Sequence, residues 1–318
     1  MLDWKNVLQE IAIEQAKQTD SAFDKVRRDY LKKLHDHTNR NVIAYYSGFL
    51  TKPRLEGIEI TEDDKNGFML CIHELDRSKG LDLVLHTPGG SVAATESIVA
   101  YLRDMFGNDI RAIVPQLAMS AGTMISCSCN SIIMGKHSSL GPVDPHFNGI
   151  PAVGVLEEIK RAFAEISADP SYAHIWNPIL SRLTPSFVQQ CHWAVERSKA
   201  FVEEALTANM FNSYRKSKRN AAAAKVREQL TDLSTNKGHD RHFHVKECRE
   251  MGLNVIALED DPSLQDLVLT IHHCYMHTLA NSGAFKIIEN QDGKAMVRQQ
   301  LSVMPFPGQV SMVTGNQP

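Results

Sequence analysis

The chain has 318 residues, of which 43% are hydrophobic and 22% are charged, and its formal net charge is -3. This length and composition are typical of a soluble globular protein with one large domain and extensions, or with two domains. Because positive and negative charges nearly balance, the composition favours neither nucleic acid nor an anionic membrane surface as a partner.

The cysteines and the apolar runs indicate where the protein is expected to work. Six cysteines occur without a CxxC pair or a zinc-ligand spacing, which predicts reduced thiols in a cytoplasmic protein. The first residues carry charges throughout, so we expect no secretion signal. No window of eighteen apolar residues predicts a membrane span. Any membrane association is therefore expected to be peripheral.

The order of elements begins with an N-terminal helical segment. Apolar side chains recur from Trp4 to Leu34 among many charges, which predicts one amphipathic helix over residues 3–37. We expect this helix to pack on its own domain or against a neighbouring subunit. Residues 41–49 are rich in β-branched and aromatic side chains and predict a strand, and acidic residues at 61–64 begin a helix.

Residues 81–146 contain the pattern around which the rest of the chain is organised. In order, they predict a buried strand (81–86), a TPGG turn (87–90), a helix (92–105), a strand (110–117), a small-residue corner (119–122) and a strand (132–134). Alternating strands and helices favour right-handed crossovers around a mostly parallel sheet. Further along, the pattern predicts helices over residues 153–166, 185–208 and 212–230, a last strand over 254–258, a helix over 266–279 and a hairpin around 291–293.

Ser120 lies in the Met-Ser-Ala-Gly corner between a strand and a helix. Small residues there allow the helix to pack closely on the sheet. A nucleophile at this position lies near the positive end of the helix dipole, and freed backbone N–H groups can bind a developing oxyanion. The amides of Ala121 and of Gly90, on the neighbouring turn, are therefore candidates for an oxyanion hole.

The order of these motifs resembles the Clp-protease/crotonase fold, with its two-glycine turn, crossover helix, Ser-Ala-Gly corner and strand ending in Leu-Gly-Pro. The chain is most similar to peptidases of the signal peptide peptidase A class, particularly the serine dehydrogenase proteinase family. The resemblance implies an α/β fold built as a ββα spiral, with an N-terminal helix and a helical C-terminal extension. We expect an N-terminal helical segment (1–40), a core domain (41–267) and a C-terminal helix, hairpin and tail (268–318).

A serine hydroxyl is a poor nucleophile at neutral pH unless a base assists it, so Ser120 requires a partner. The resemblance to the signal peptide peptidase class implies a Ser-Lys dyad. A lysine acts as a base only if burial lowers its pKa, and Lys160 has apolar neighbours one helical turn away. We therefore prefer Lys160 as the base, although pairing with Glu157 on the protein surface explains it equally well.

Two other parts of the chain contain candidates for the catalytic base. The Clp-type arrangement implies a residue at the end of the strand after the nucleophile helix, where this chain has Asp144 and, two residues later, His146. Lys136 and His137, just beyond the third strand, are the weakest option.

A histidine-rich run near the end of the core raises the question of a metal. His239, His242 and His244 lie within six residues, and imidazole is a common zinc ligand. No helical spacing aligns these three side chains, so we expect no metal here. A basic run over residues 212–230 lacks interleaved aromatic residues, and we interpret it as a solvated face or a subunit contact rather than a nucleic-acid element.

The sequence thus predicts a serine peptidase-like hydrolase that cleaves unfolded or membrane-derived polypeptides, bound as an added strand beside the glycine turn. The alternatives are a crotonase-like acyl-thioester enzyme, for which no catalytic carboxylate stands out, and a non-catalytic oligomeric binding scaffold. No cofactor is expected, since the chain has neither a pyridoxal-phosphate lysine motif nor GxGxxG. The resemblance implies a homo-oligomer whose other partner is a polypeptide, not nucleic acid.

Overall fold

The computed structural model describes residues 3–17, 21–147, 149–232 and 238–300. The α-helices in these ranges are α1 (Trp4–Ala16), α2 (Ala22–Thr38), α3 (Asp64–Ile72), α4 (Val92–Phe106), α5 (Ala121–Cys127), α6 (Ala152–Ala168), α7 (Ala173–Leu180), α8 (Pro185–Ala208), α9 (Lys216–Thr231), α10 (Val245–Met251) and α11 (Pro262–Asn281). The strands are β1 (Asn41–Ser47), β2 (Leu81–His86), β3 (Ile110–Val114), β4 (Leu117–Ala118), β5 (Ser131–Met134), β6 (Ser139–Leu140), β7 (His146–Phe147), β8 (Ile150–Pro151), β9 (Val255–Ala257), β10 (Ala284–Asn290) and β11 (Ala295–Gln299).

Most of these strands form one sheet in the order β11-β10-β1-β2-β3-β5-β9. Within this sheet the strands β1, β2, β3, β5 and β9 are parallel, as the alternation of strands and helices predicts. The hairpin around residues 291–293 is also confirmed, and its first strand, β10, pairs antiparallel with β1. The end of the described chain therefore extends the same sheet that carries the N-terminal half of the core.

Helices cover both faces of this sheet, which explains why its central strands are mostly apolar and are buried along their whole length. Every residue of β1 and of β2 is buried. Side chains alternate between the two faces, so Ile43 and Tyr45 pack towards α3 and α4, whereas Val42, Ala44 and Tyr46 pack towards α2 and α11. The mixed α/β class expected from the sequence is confirmed.

The N-terminal segment differs from its prediction, because it contains two helices rather than one. Ser21 is the N-cap of α2, and its side chain accepts a hydrogen bond from the Asp24 N–H. Glu10 accepts a hydrogen bond from the Tyr30 hydroxyl at 3.0 Å, so α1 folds back beside α2. Helical periodicity continues across such a break and does not reveal it. Both helices pack on the domain's own core through Val7, Ile11 and Leu31.

A helical excursion separates β8 from β9 and contains α6, α7, α8, α9 and α10. Its longest helix, α8, contacts α5, the helix that follows Ser120. Arg197 of α8 forms an ion pair with Glu96 of α4. These contacts place one face of α8 beside the end of the sheet where Ser120 lies. No helix in the described ranges is long and apolar enough to cross a membrane.

Candidate active site

Ser120 has an unusual backbone conformation, with φ of 51° and ψ of -112°. Positive φ is uncommon for a residue with a side chain, and such strain is concentrated at functional sites. The Ser120 side chain does not cap α5, and it lies partly exposed in a cleft. The hydroxyl is therefore not occupied by the local role that serine most often has at the start of a helix.

The corner that holds Ser120 is fixed on both sides by hydrogen bonds. The Met119 N–H donates to the Thr87 carbonyl at 3.0 Å, and the Thr87 N–H donates to the Leu117 carbonyl at the same distance. The buried Thr123 hydroxyl donates to the Ala118 carbonyl at 2.9 Å and accepts from the Gly141 N–H at 3.0 Å. The backbone around Ser120 is consequently well determined by its surroundings, as a strained residue requires.

The glycine turn lies directly against this corner. A Cβ added to Gly89, which has φ of +102°, would lie 2.8 Å from the Ser120 Cβ and 2.8 Å from the Met119 carbonyl oxygen. A Cβ added to Gly90 would lie 2.3 Å from the Ile60 nitrogen. Side chains at either position are excluded by these distances, so both glycines are required for the close approach of the turn.

Two backbone amides near Ser120 lack a backbone acceptor within the described ranges. Within the described ranges, neither the Gly90 N–H nor the Ala121 N–H donates a backbone hydrogen bond. The Ala121 amide begins α5, where the first N–H groups of a helix have no partner of their own. A Cβ added to Gly89 would lie 3.0 Å from the Ala121 nitrogen, so the glycine turn lies close to the first amide of α5.

Ser120 and both glycines line a cleft of about 1090 Å³. Gln190, Trp193, Ala194 and Arg197 recur at helical spacing and form one wall of the cleft from a single face of α8. Asp144, His146 and His239 also line the cleft.

Asp144 is buried, with 3% of its surface exposed, and it contacts both histidines of the cleft. Its Oδ1 is hydrogen-bonded to Nδ1 of His239. Nδ1 of His146 lies 3.0 Å from the Asp144 carbonyl oxygen, and Nε2 of His146 lies 3.7 Å from Oδ2 of Asp144. The two imidazole rings contact each other with centroids 4.1 Å apart. The buried carboxylate thus holds His239 by a hydrogen bond, and the Asp144 backbone carbonyl holds His146 beside it, in the cleft that Ser120 lines.

Lys160 does not line this cleft. It is exposed on α6 and borders a separate, more polar depression with Glu157, Glu196 and Lys199. The apolar face that was expected to bury it is open, since Phe163 is 70% exposed. Helical periodicity shows that an apolar stripe exists, but not that anything covers it.

Lys136 and His137, the weakest candidates for the base, are exposed beyond β5 and do not line the Ser120 cleft. The three histidines of the histidine-rich run do not lie together at one site. His242 is exposed. His244 lies at the start of α10, and its Nδ1 is 3.2 Å from the hydroxyl of Ser139. From this run, His239 is the member that reaches the cleft. From the sequence, His239 is a candidate only for a metal site, because 95 residues separate it from Asp144 and no local pattern joins the two.

The comparisons with known proteins decide the family. The model of the family described as ClpP-like SDH-type serine proteinase matches residues 7–181. The chain belongs to this family. The match confirms the Clp-like fold class and the resemblance to serine dehydrogenase proteinases, and it identifies the chain as a member of a serine proteinase family.

Two relatives of this chain come from Methanocaldococcus jannaschii. Uncharacterized protein MJ0137 is 28% identical over 229 residues, which cover 72% of this chain and 70% of the relative. Uncharacterized protein MJ1495 is 29% identical over 196 residues, which cover 62% of this chain and 59% of the relative.

Solved structures of a 1510-N membrane-bound stomatin-specific protease are also similar to this chain. A lysine-to-alanine mutant in complex with a substrate peptide has 18% identity and a TM-score of 0.37, covering 64% of this chain and 73% of its own. A serine-to-alanine mutant has 19% identity and a TM-score of 0.36, covering 66% of this chain and 79% of its own.

Proposed function

We propose that this protein is an active serine endopeptidase in which Ser120 is the nucleophile and His239, oriented by Asp144, is the base. The observation that carries the proposal is the hydrogen bond between the buried Asp144 carboxylate and Nδ1 of His239, in the cleft lined by Ser120. A nucleophile, a base and a third group that orients the base are the parts that serine peptidases require.

The Asp144 carboxylate defines the protonation pattern of the imidazole. As an ionised acceptor, Oδ1 accepts the hydrogen bond from Nδ1–H of His239, so Nε2 carries the lone pair. Nε2 then takes the Ser120 proton as the hydroxyl oxygen attacks the scissile carbonyl, and it returns that proton to the leaving amine. Water repeats the two steps and releases the acyl group from Ser120.

The Gly90 and Ala121 amides stabilise the oxyanion that forms in each attack. Both N–H groups are free of backbone acceptors within the described ranges. Donors fixed before the reaction stabilise developing charge without reorganisation, and loss of one such donor costs roughly 100- to 1,000-fold in rate.

The polypeptide substrate binds as an extended strand along Gly90. Ile60 already pairs with one side of the turn: its N–H donates to the Gly89 carbonyl at 2.7 Å, and its carbonyl accepts from the Ser91 N–H at 2.9 Å. Alternate residues of an extended segment direct their amides to opposite sides. The N–H and C=O of Gly90 are thus directed away from Ile60, which suits a peptide added as a strand. Unfolded or membrane-derived polypeptides supply such segments.

The Ser-Lys dyad with Lys160 is the alternative form of the same proposal. A catalytic lysine must lose hydration to become a base at neutral pH. Lys160 would have to enter the Ser120 cleft, and lose its exposure, through a rearrangement of α6. His146 contacts His239 and is the alternative histidine base.

Labelling with a fluorophosphonate probe tests the proposal, because such probes react with an activated serine. The full chain is expected to become labelled at Ser120, and Ser120→Ala is expected to abolish labelling while the far-UV circular dichroism spectrum is unchanged. Ser126→Ala is the matched control, since Ser126 is buried on α5 and donates to the Gly122 carbonyl at 2.9 Å. Equal labelling of Ser120→Ala and the wild type would reject the assignment.

A further inference from the structure

Asp144, His146 and His239 form a cluster whose chemistry extends beyond orienting a base. One ligand atom from each residue lies within 4.8 Å of the others. Two imidazoles and one carboxylate are a donor set that zinc(II) and related transition-metal ions bind, whereas calcium and magnesium prefer oxygen ligands. The set is assembled from two distant parts of the chain, which is why the spacing of histidines in the sequence does not indicate it.

The second observation concerns the other oxygen of Asp144. Oδ2 is buried and has no hydrogen-bond partner among the described residues. Buried polar atoms without a partner are rare in folded proteins, and each requires an explanation, such as an ion or a water molecule. The oxygen belongs to a residue with 3% exposure that lines the cleft, so a ligand that enters the cleft is the natural partner.

The spacing between the donors also suits a small cation. Nε2 of His146 lies 3.7 Å from Oδ2 of Asp144, which is too long for a hydrogen bond. Two ligands of a tetrahedral zinc ion, each at its usual bond length, are separated by about 3.3 Å. A shift of a few tenths of an ångström therefore brings these two atoms to the separation that a shared ion requires.

The charge around the cluster favours a cation as well. Among the described residues that line the cleft, Arg197 is the one with a permanently positive side chain, and Glu96 neutralises it through an ion pair. No described lysine lines the cleft. A divalent ion would consequently not displace a positive side chain from Asp144.

We propose that Asp144, His146 and His239 bind one transition-metal ion of the zinc(II) class, with its remaining coordination positions open to the cleft. Binding needs only the lone pairs of neutral imidazoles and of the carboxylate, so no bond is broken and no electron is transferred. A second consequence rests on the proposed peptidase function: the ion occupies the imidazole lone pair that would accept the Ser120 proton. Metal binding and peptidase activity then exclude each other.

Calorimetric titration of the full, chelator-treated protein with zinc chloride tests the binding. The wild type is expected to bind one equivalent with micromolar or tighter affinity, and cobalt(II) in its place is expected to show the visible absorption of a four-coordinate ion. His146→Ala and, as a second variant, His146→Asn are expected to weaken zinc binding roughly 100-fold or more. His242→Ala is the matched control, because His242 is exposed outside the cluster, and it is expected to bind as the wild type does.

The results separate the two proposals. Absence of saturable zinc binding in the wild type, or equal affinity in the folded His146 variants, overturns the metal site. Serine labelling of the metal-free protein that stops at saturating zinc and returns with chelator supports mutual exclusion, whereas labelling unchanged by bound zinc overturns it. If the metal-free protein is not labelled while zinc still binds at the cluster, the peptidase proposal fails and the metal site stands.

Discussion

Gly90→Ala is the substitution whose effect follows most directly from the geometry of the turn. Gly90 has φ of +153°, and an added Cβ would lie 2.3 Å from the nitrogen and 2.5 Å from the oxygen of Ile60. Both are backbone atoms, and two hydrogen bonds hold them in place, from Ile60 N–H to Gly89 and from Ser91 N–H to Ile60. The clash is not relieved by rotation of a side chain, so the turn and the Ile60 segment must separate.

The cost of this separation has two parts. Loss of two backbone hydrogen bonds costs about 0.5–1.5 kcal/mol each, and the unfavourable backbone conformation of alanine costs about 1–3 kcal/mol. The free energy of unfolding is therefore expected to fall by about 2–6 kcal/mol. Because the Gly90 amide moves with the turn, the rate of fluorophosphonate labelling is expected to fall roughly 100-fold or more.

Gly107→Ala is the matched control for this prediction. Gly107 also has positive φ, at +61°, but an added Cβ would meet no atom within 4 Å. The free energy of unfolding of Gly107→Ala is therefore expected to fall only by the cost of the backbone conformation, about 1–2 kcal/mol. Labelling is expected to be unaffected. Urea unfolding and labelling of both variants measure the two effects. Equal stability losses in the two variants, together with normal labelling of Gly90→Ala, would refute the reasoning.

Two further predictions concern buried charge. Burial lowers the pKa of His86 to about 3, so the unfolded chain, in which histidine titrates near pH 6.5, binds a proton first as the pH falls. Between pH 6.5 and pH 4.5 the wild type should consequently lose about 2–3 kcal/mol more stability than His86→Leu in urea unfolding. Equal losses of stability in the two proteins would show that His86 is protonated in the folded state. Lys286 is buried, its Nζ lies 2.8 Å from Asp64 and 2.6 Å from the Glu59 carbonyl, and burial lowers its pKa. Lys286→Met is expected to lower the free energy of unfolding by about 3–5 kcal/mol, because Asp64 remains as an uncompensated buried charge. Adding Asp64→Asn should recover part of this loss. If the effects of the two single substitutions simply added in the double variant, the coupling of Lys286 and Asp64 would be contradicted.

Local patterns in the sequence predicted the elements that local physics determines. The strand over residues 81–86 has the expected bounds, because an apolar run between turn residues is a local signal. The helix over 185–208 also has the expected bounds, because its threonine-proline start is a local signal. The corner at Ser120 was predicted for the same reason. Glycines and small residues at fixed positions are needed wherever a turn, a strand and a helix approach closely.

The parts that sequence reasoning missed depend on contacts between distant residues. Asp144 and His239 meet only because the chain passes through α6, α7, α8 and α9 and then returns to the sheet, and no periodicity specifies where such a return ends. The pairing of β10 with β1 likewise joins residues about 250 positions apart, for example Ile43 and Asn290. The preference for Lys160 rested on an apolar helix face whose covering partner cannot be inferred from the helix itself.

The rate of fluorophosphonate labelling in His239→Ala and Lys160→Ala, compared with the wild type, tests the central claim most directly. Removal of a general base is expected to slow labelling roughly 100- to 10,000-fold, so His239→Ala should be labelled slowly, whereas Lys160→Ala should be labelled at the wild-type rate. Normal labelling of a folded His239→Ala protein, together with loss of labelling in Lys160→Ala, would contradict the account.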